Sequence, residues 1–497
     1  MLFSSVTFLF FFLPAAFILY FAAWTTTLRN IVLLFLSLVF YAWGEPVFLP
    51  VMVGSIGFNY LAARVIDARV GRARKLALGL ALTADLGLLG LFKYANFAVA
   101  TLAPFGIGLL RPAIPLPLGI SFFSFHCISY LVDVYRGRFP ANRRLREVAL
   151  YIALFPQLVA GPIVRYKIIA RQLHARRHSL GRASAGMRMF VIGLAQKVLI
   201  ADQVAPVANA VFDHTHRPGL MDAWTGALAY TLQIYFDFAG YSNMAIGLGL
   251  VFGFSLPRNF NLPYRSRSVT EFWRRWHITL SSWFRDYLYI PLGGNRGSPL
   301  ATYRNLIIVF LLCGLWHGAS WTFVLWGAWH GGFLVLERAG LLRRLERLPA
   351  PVAWGYAILS VMFGWVLFRA DDLAGALSVW RGMLGLNGAG PVAADLAFTL
   401  EPATLVVMAL GAVLAIAPLG RRTGRKGRRA PADEVRQLEI LEPPRSSGPR
   451  MRLTSLAQGL GVLALLVVCV LQVSGGAYSP FLSVSYTHLT LPTIYSV

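Results

Sequence analysis

Glu271-Phe272-Trp273-Arg274-Arg275-Trp276-His277 opens the stretch whose reading decides this chain, which continues through Trp283-Phe284-Arg285-Asp286-Tyr287 to a Gly293-Gly294-Asn295-Arg296-Gly297 turn. An apolar segment follows, broken at Cys313-Gly314-Leu315-Trp316-His317-Gly318 and again at Trp329-His330-Gly331-Gly332. Three histidines, several tryptophans and a few ion-forming residues thus sit among segments apolar enough to be buried in lipid. Ionisable groups at bilayer depth are expensive, so their default reading is functional.

Working outward, the 497 residues are 57% hydrophobic and only 13% charged, with a mean hydropathy of +0.60. Soluble domains carry roughly 25% charged residues. Repeated apolar runs of about 20 residues match helices that span the hydrocarbon core, and they lack the period-two alternation of a membrane barrel. The expected fold class is an all-α polytopic integral membrane protein. The net charge of +25 is concentrated in connectors such as Arg64–Lys75, Arg165–Arg188 and Arg258–Arg275. That is the distribution of cytoplasmic loops, which also attract lipid headgroups, and it argues against a nucleic-acid partner. Cys127, Cys313 and Cys469 are scattered in apolar runs and form neither a disulfide framework nor a zinc pattern.

Apolar segments are expected at Met1–Trp24 (a retained first span), Asn30–Trp43, Val47–Ala63 and Leu76–Phe97. Asp85 and Lys93 fall inside the last, and snorkelling of its long stem accounts for Lys93 near the segment end. His126, beyond the Pro112–Pro117 region, reads as a core histidine bonded to a neighbouring carbonyl. Phe155-Pro156-Gln157 and Gly161-Pro162 predict a re-entrant or broken element beside a cavity. Asp237, flanked by aromatics within Trp224–Phe254, needs a counter-ion, for which an arginine from another element is expected. His174, His178, His214 and His216 read as incidental. Further spans are expected at Met189–Phe212, Val352–Phe368, Thr404–Leu419 and Leu456–Val473, with a basic cytoplasmic linker at 420–452. The total is about 10–12 membrane-embedded elements.

On one continuous helix Trp273, His277, Ser281 and Arg285 form a stripe. Gly314 and Gly318 allow close helix approach beside His317. His330 lies thirteen residues beyond His317, roughly 140° away on an unbroken helix, so the two do not share a face. A histidine in such a place serves as general base, proton shuttle, metal ligand or structural donor. No close ligand spacing supports a metal. The arrangement suits proton abstraction from a hydroxyl and equally suits a proton-coupled transporter.

Phe272-Trp273-Arg274-Arg275-Trp276-His277-Ile278-Thr279-Leu280-Ser281 with Trp283–Tyr287 resembles the signature of the membrane-bound O-acyltransferase (MBOAT) family. So do Pro291–Arg296, Gly314–Gly318, Leu118–Phe123, Val132–Arg136, Phe155–Gln157 and Ala160–Pro162. The resemblance is to the bacterial branch containing the membrane component of alginate O-acetylation, and it runs from Met1 to about Leu482. It implies a ring of transmembrane and re-entrant helices around a central tunnel, in a bacterial inner membrane. It implies His317 as the catalytic base and His277 as its companion, orienting or polarising the donor. Trp273, Ser281, Arg285, Asp286, Asp237 and Trp316 are expected to line the tunnel or contact substrate. No cofactor is expected to be bound, and the donor is acetyl-CoA or a carrier-bound acyl thioester. Acetyl would pass to a periplasmic SGNH-type partner and so indirectly to an exopolysaccharide. Peptidoglycan, cellulose or teichoic acid (the last taking D-alanine) are alternative acceptors, and a transporter or scaffold without chemistry is the alternative from another class. After Leu482 the chain departs from the family pattern, and residues 483–497 resemble a translated sequencing adapter, a non-native tail.

Overall fold

Seen in a computed structural model, the described residues are 1–106, 114–213, 217–417 and 449–475. Pro112, His214, His216, most of the linker 420–452 and the tail 483–497 lie outside them. Among the described residues there is no strand. Six helices are long and apolar enough to cross a membrane, and four shorter apolar helices accompany them. The chain is an all-α, multi-pass membrane protein.

The first helices are α1 (Leu13–Ala22), α2 (Thr26–Gly44), α3 (Leu49–Ala68) and α4 (Gly71–Leu102). The apolar N-terminus forms one continuous helix, a π turn at Phe8–Phe12 running directly into α1, and Phe8–Ala22 is among the shorter apolar helices. Next come α5 (Ile120–Tyr135), α6 (Leu145–Ala153), the four-residue α7 (Phe155–Leu158) and α8 (Tyr166–His174). The break at Leu154–Phe155 and the non-helical, buried course of 159–165 agree with the proline and glycine content there. Then follow α9 (Leu180–Ala195), α10 (Asp202–Phe212), α11 (Leu220–Val251), α12 (Val269–Arg275), α13 (Ile278–Phe284), α14 (Pro299–His317) and α15 (Trp321–Leu336). The chain closes with α16 (Leu342–Leu345), α17 (Ala350–Arg369), α18 (Leu373–Met383), α19 (Ala394–Thr399), α20 (Pro402–Ile416) and α21 (Pro449–Ser474).

α5, α6, α7 and α11 are buried almost throughout. The peripheral helices instead expose large apolar side chains such as Phe35, Leu61, Leu80, Leu410 and Leu463, which lipid solvates at no cost. At the Val251 end of α11, Tyr20 donates to the Phe252 carbonyl at 2.6 Å and the Ser255 N–H donates to Gln172 Oε1 at 2.6 Å. Two basic connectors, 165–188 and 258–275, border this end, where Arg182 donates to the Ser255 hydroxyl at 2.8 Å. At the Leu220 end, Trp224 donates to the Met383 carbonyl at 2.9 Å and Asn387 to the Pro218 carbonyl at 3.0 Å.

Glycine sets the closest contact at the centre. Gly186 and Gly193 on α9 face Gly247 and Gly240 on α11, seven residues apart in each helix. A methyl group on Gly193 would meet the Gly240 carbonyl oxygen at 2.5 Å, and one on Gly247 the Gly186 carbonyl oxygen at 2.5 Å. Small residues permit such approach where lipid gives helices no hydrophobic reason to associate. The same contact fixes a charged cluster: Lys197, in the π turn Gln196–Ala201, lies 2.6 Å from Asp202 and 2.9 Å from Asp237. The counter-ion of Asp237 is thus a lysine and not the expected arginine, because the π turn aims Lys197 inward.

Gly193→Ala or Gly247→Ala is expected to destabilise the fold by about 1–3 kcal/mol through overpacking. Gly79→Ala, on an exposed face of α4 with nothing within 4 Å, is expected to be neutral. Thermal melts in detergent distinguish the two, and equal melting temperatures for Gly193→Ala and the parent would contradict the packing argument.

Candidate active site

A cavity of about 90 Å³ lies where α4, α5, α11, α14, α15 and α17 converge on the irregular segments at 159–160 and 276–277. His277, His317, Trp316 and Asp237 all line it, together with Lys93, Ser121, Phe238, Tyr241, Trp276, Trp326, Trp365 and Phe368. The chain brings the two histidines together although forty residues separate them. Trp316 is their shared wall, its ring 6.3 Å from that of His277 and 4.8 Å from that of His317.

His277 does not continue a helix. It takes a left-handed conformation at φ 42°, ψ 54°, ending α12 and starting α13. The expected stripe is therefore divided: Trp273, Ser281 and Arg285 line a second cavity of about 610 Å³ with Arg274, Phe310 and Cys313, while His277 turns into the first. Non-glycine residues in this region are costly and cluster at functional sites. Here the cost is offset by hydrogen bonds. Asn259 Oδ1 accepts from the Thr279 backbone N–H at 3.3 Å and from the Thr279 hydroxyl at 2.9 Å, and lies 3.1 Å from His277 Nδ1. The Thr279 N–H can only donate, which identifies the Asn259 atom as its oxygen, so Nδ1 also donates. In the neutral ring Nε2 then carries a lone pair, and it has no hydrogen-bond partner among the described residues. His277 thus presents an acceptor, not a donor, which favours orienting a substrate N–H or O–H over polarising a carbonyl.

His317 is the last residue of α14, and the chain turns at Gly318–Ser320 into α15. Gly314 makes this hairpin tight: a methyl group there would meet the Phe323 carbonyl oxygen at 2.1 Å. The His317 ring packs edge-on against Trp326 and Phe368, each at 5.1 Å. Because the helix breaks, His330 comes back to the far side of Trp326, at 5.1 Å. It lies among Phe272, Trp273 and Trp365 without lining either cavity. Trp326 lines the first cavity and Trp273 the second, and their rings meet at 5.6 Å.

Asp286 lines neither cavity. It lies 2.5 Å from the buried Arg165 and 2.6 Å from Arg285. Burial opposes its ionisation, but the Arg285 hydrogen bond and both positive charges outweigh it and hold the carboxyl below the usual range. The pair ties the non-helical segment 159–165 to the π turn Arg285–Tyr289. His126 is buried as expected, yet neither ring nitrogen has a partner among the described residues. Lys93 does not snorkel: it is 5% exposed and its ammonium points inward.

The family model for membrane-bound O-acyltransferases matches residues 123–380. The chain is 43% identical to the probable alginate O-acetylase AlgI of Azotobacter vinelandii, over 97% of this chain and 99% of that one. This chain belongs to the MBOAT family. As an MBOAT protein it is an acyltransferase. It is also 39% identical to the peptidoglycan O-acetyltransferase of Helicobacter pylori, over 78% of this chain and 80% of that one. A teichoic acid D-alanyltransferase of Bacillus subtilis is 24% identical over 46% of this chain and 64% of its own.

Asn259, Ser121, Tyr241 and Lys93 are polar residues in or behind this cavity that sequence reasoning did not assign to it. Lys93 carried a signal as a charge within an apolar run and Ser121 lies within the Leu118–Phe123 block; Asn259 lies in an irregular connector and gave none.

Asn259→Ala is expected to lower the acyl-transfer rate about 10²-fold by releasing the His277 tautomer. Asn259→Asp keeps the acceptor oxygen and is expected to retain most activity. Initial rates at matched protein amounts check this, and an unimpaired alanine variant would remove Asn259 from the argument.

Proposed function

We propose that this chain takes acetyl groups from a cytosolic thioester, acetyl-CoA or a carrier-bound acyl group, and passes them across a bacterial inner membrane for O-acetylation of an exopolysaccharide such as alginate. The convergence of His277 and His317 on one cavity at membrane depth carries the reading. The similarity to alginate O-acetylases over nearly the whole chain supports the substrate class. The concentration of basic residues at the Val251 end of α11 supports a cytoplasmic orientation for that face. The second cavity opens among Arg274, Arg285 and Ser281, a setting suited to the phosphates and amides of a pantetheine thioester.

His317 acts as the base. It takes the proton of the acceptor hydroxyl as the oxygen bonds to the thioester carbonyl carbon, and returns it to the departing thiolate when the C–S bond breaks. His277 Nε2 accepts a hydrogen bond from the bound substrate and holds it for attack. Asp237 lines the cavity wall with Trp316, and Trp273 closes the second cavity against Trp326. The product is handed to a periplasmic SGNH-type partner, which modifies the polymer. Similarity to a peptidoglycan O-acetyltransferase favours, as the second reading, transfer to another envelope polymer.

His317→Ala is expected to abolish polysaccharide O-acetylation in cells, with protein abundance matched by immunoblot. Acetyl groups per sugar, measured by proton NMR of purified exopolysaccharide, report the outcome. Normal acetylation would overturn the reading, and loss of acetate from peptidoglycan instead would select the second one.

A further inference from the structure

Lys93 stands within α4, more than two turns before its end at Leu102 and inside the candidate span Gly71–Phe105, and lines the cavity shared by His277 and His317. Its ammonium donates to Ser121 Oγ at 3.0 Å and to the Trp316 carbonyl, the residue before His317. Nζ also lies 5.7 Å from the centre of the Trp316 ring, but an ammonium has three N–H donors, and the third has no hydrogen-bond acceptor among the described residues. Nor does any carboxylate there pair with it, whereas each of the other buried cations, Arg165, Lys197 and Arg369, has one. Asp85, two turns earlier, is engaged by Asn59 at 2.8 Å.

Capping α14 does not by itself account for a lysine. The last carbonyls of a helix need partners in lipid, but the neighbouring carbonyl of Leu315 is satisfied by the neutral hydroxyl of Tyr94 at 2.8 Å. An ammonium with two hydrogen bonds and an aromatic ring but no carboxylate is far costlier within a membrane span than a hydroxyl. What the ammonium adds is positive charge facing the cavity, where acyl transfer generates a negative one.

We infer that Lys93 is a catalytic residue that stabilises the oxyanion of the tetrahedral intermediate; this rests on the acyl-transfer reading of the cavity. As the hydroxyl oxygen bonds to the carbonyl carbon, its proton passes to His317 and the carbonyl π pair moves onto oxygen. That oxygen receives the third N–H of Lys93, while the bonds to Trp316 and Ser121 hold the ammonium in place before the charge develops. Collapse restores the carbonyl, breaks the C–S bond and delivers the proton from His317 to the thiolate.

The test uses full-length chains carrying Lys93→Met, Lys93→Gln, Lys93→Arg and His317→Ala, expressed in cells at matched abundance. Acetyl content of the purified polymer is measured alongside melting temperature in detergent. Lys93→Gln keeps an N–H for the Trp316 carbonyl but no charge, and guards against a methionine variant that fails to fold. The expected result is at least a tenfold fall in acetylation for Lys93→Met and Lys93→Gln, the glutamine variant melting within a few degrees of the parent, and substantial recovery in Lys93→Arg. Normal acetylation in Lys93→Gln, or equal loss in Lys93→Gln and Lys93→Arg, overturns the inference. His317→Ala separates the two levels: if it stays active the acyl-transfer reading fails, whereas an inactive His317→Ala beside an active Lys93→Gln removes only the role of Lys93.

Discussion

Inside a bilayer, backbone N–H and C=O groups have no water to turn to, so any chain that leaves the helix there must find partners within the protein. This constraint governs the centre of the molecule. Ile163, in the non-helical segment between α7 and α8, donates its N–H to the Thr279 hydroxyl at 3.0 Å, and that hydroxyl in turn donates to Asn259 Oδ1. The same oxygen takes the Thr279 N–H and His277 Nδ1. One side-chain amide thereby joins two irregular segments and fixes the ring whose other nitrogen faces the cavity. The left-handed backbone of His277 persists because these bonds over-determine it.

Buried charge obeys a parallel rule. Arg165 is matched by Asp286, Arg369 by Asp213, and Lys197 by Asp202 and Asp237. Glu337 is 1% exposed but accepts the Val269 and Thr270 N–H groups at 2.6 and 2.8 Å, placing its charge at the N-terminus of α12, where the helix dipole favours it. These pairs orient the elements that carry His277 and Asp286 at little gain in stability. Lys93, without a carboxylate, and Asp85, held only by the Asn59 amide, depart from this rule among the described residues, and of the two Lys93 is the one in the cavity wall.

Aromatic rings supply the rest of the site. Trp316 separates the two histidines, and Phe125 stacks on Trp283 at 3.7 Å while Trp283 donates to the Phe125 carbonyl at 3.1 Å. Such rings exclude water and lipid from a small cavity without adding competing acceptors, leaving the His277 and His317 imidazoles and the third N–H of Lys93 as polar groups for a substrate.

The sequence by itself determined the fold class, since apolar runs of membrane length leave the backbone only helices. It also determined the family, because the motif blocks are local, and those blocks contain the two histidines that the fold brings to one cavity. The broken element near Pro156 and Gly161 was legible for the same reason: proline and glycine act where they stand. Tertiary structure alone decided the rest. Helical periodicity placed Trp273, His277 and Ser281 on one stripe, but a left-handed turn at His277, stabilised by Asn259 from another segment, sent it into a different cavity from its neighbours. Periodicity likewise set His330 apart from His317, whereas a hairpin put both against Trp326. Lys93 looked peripheral because it lies near a segment end. What it faces is set by α5 and α14 packing around it, and no pattern within its own helix records that.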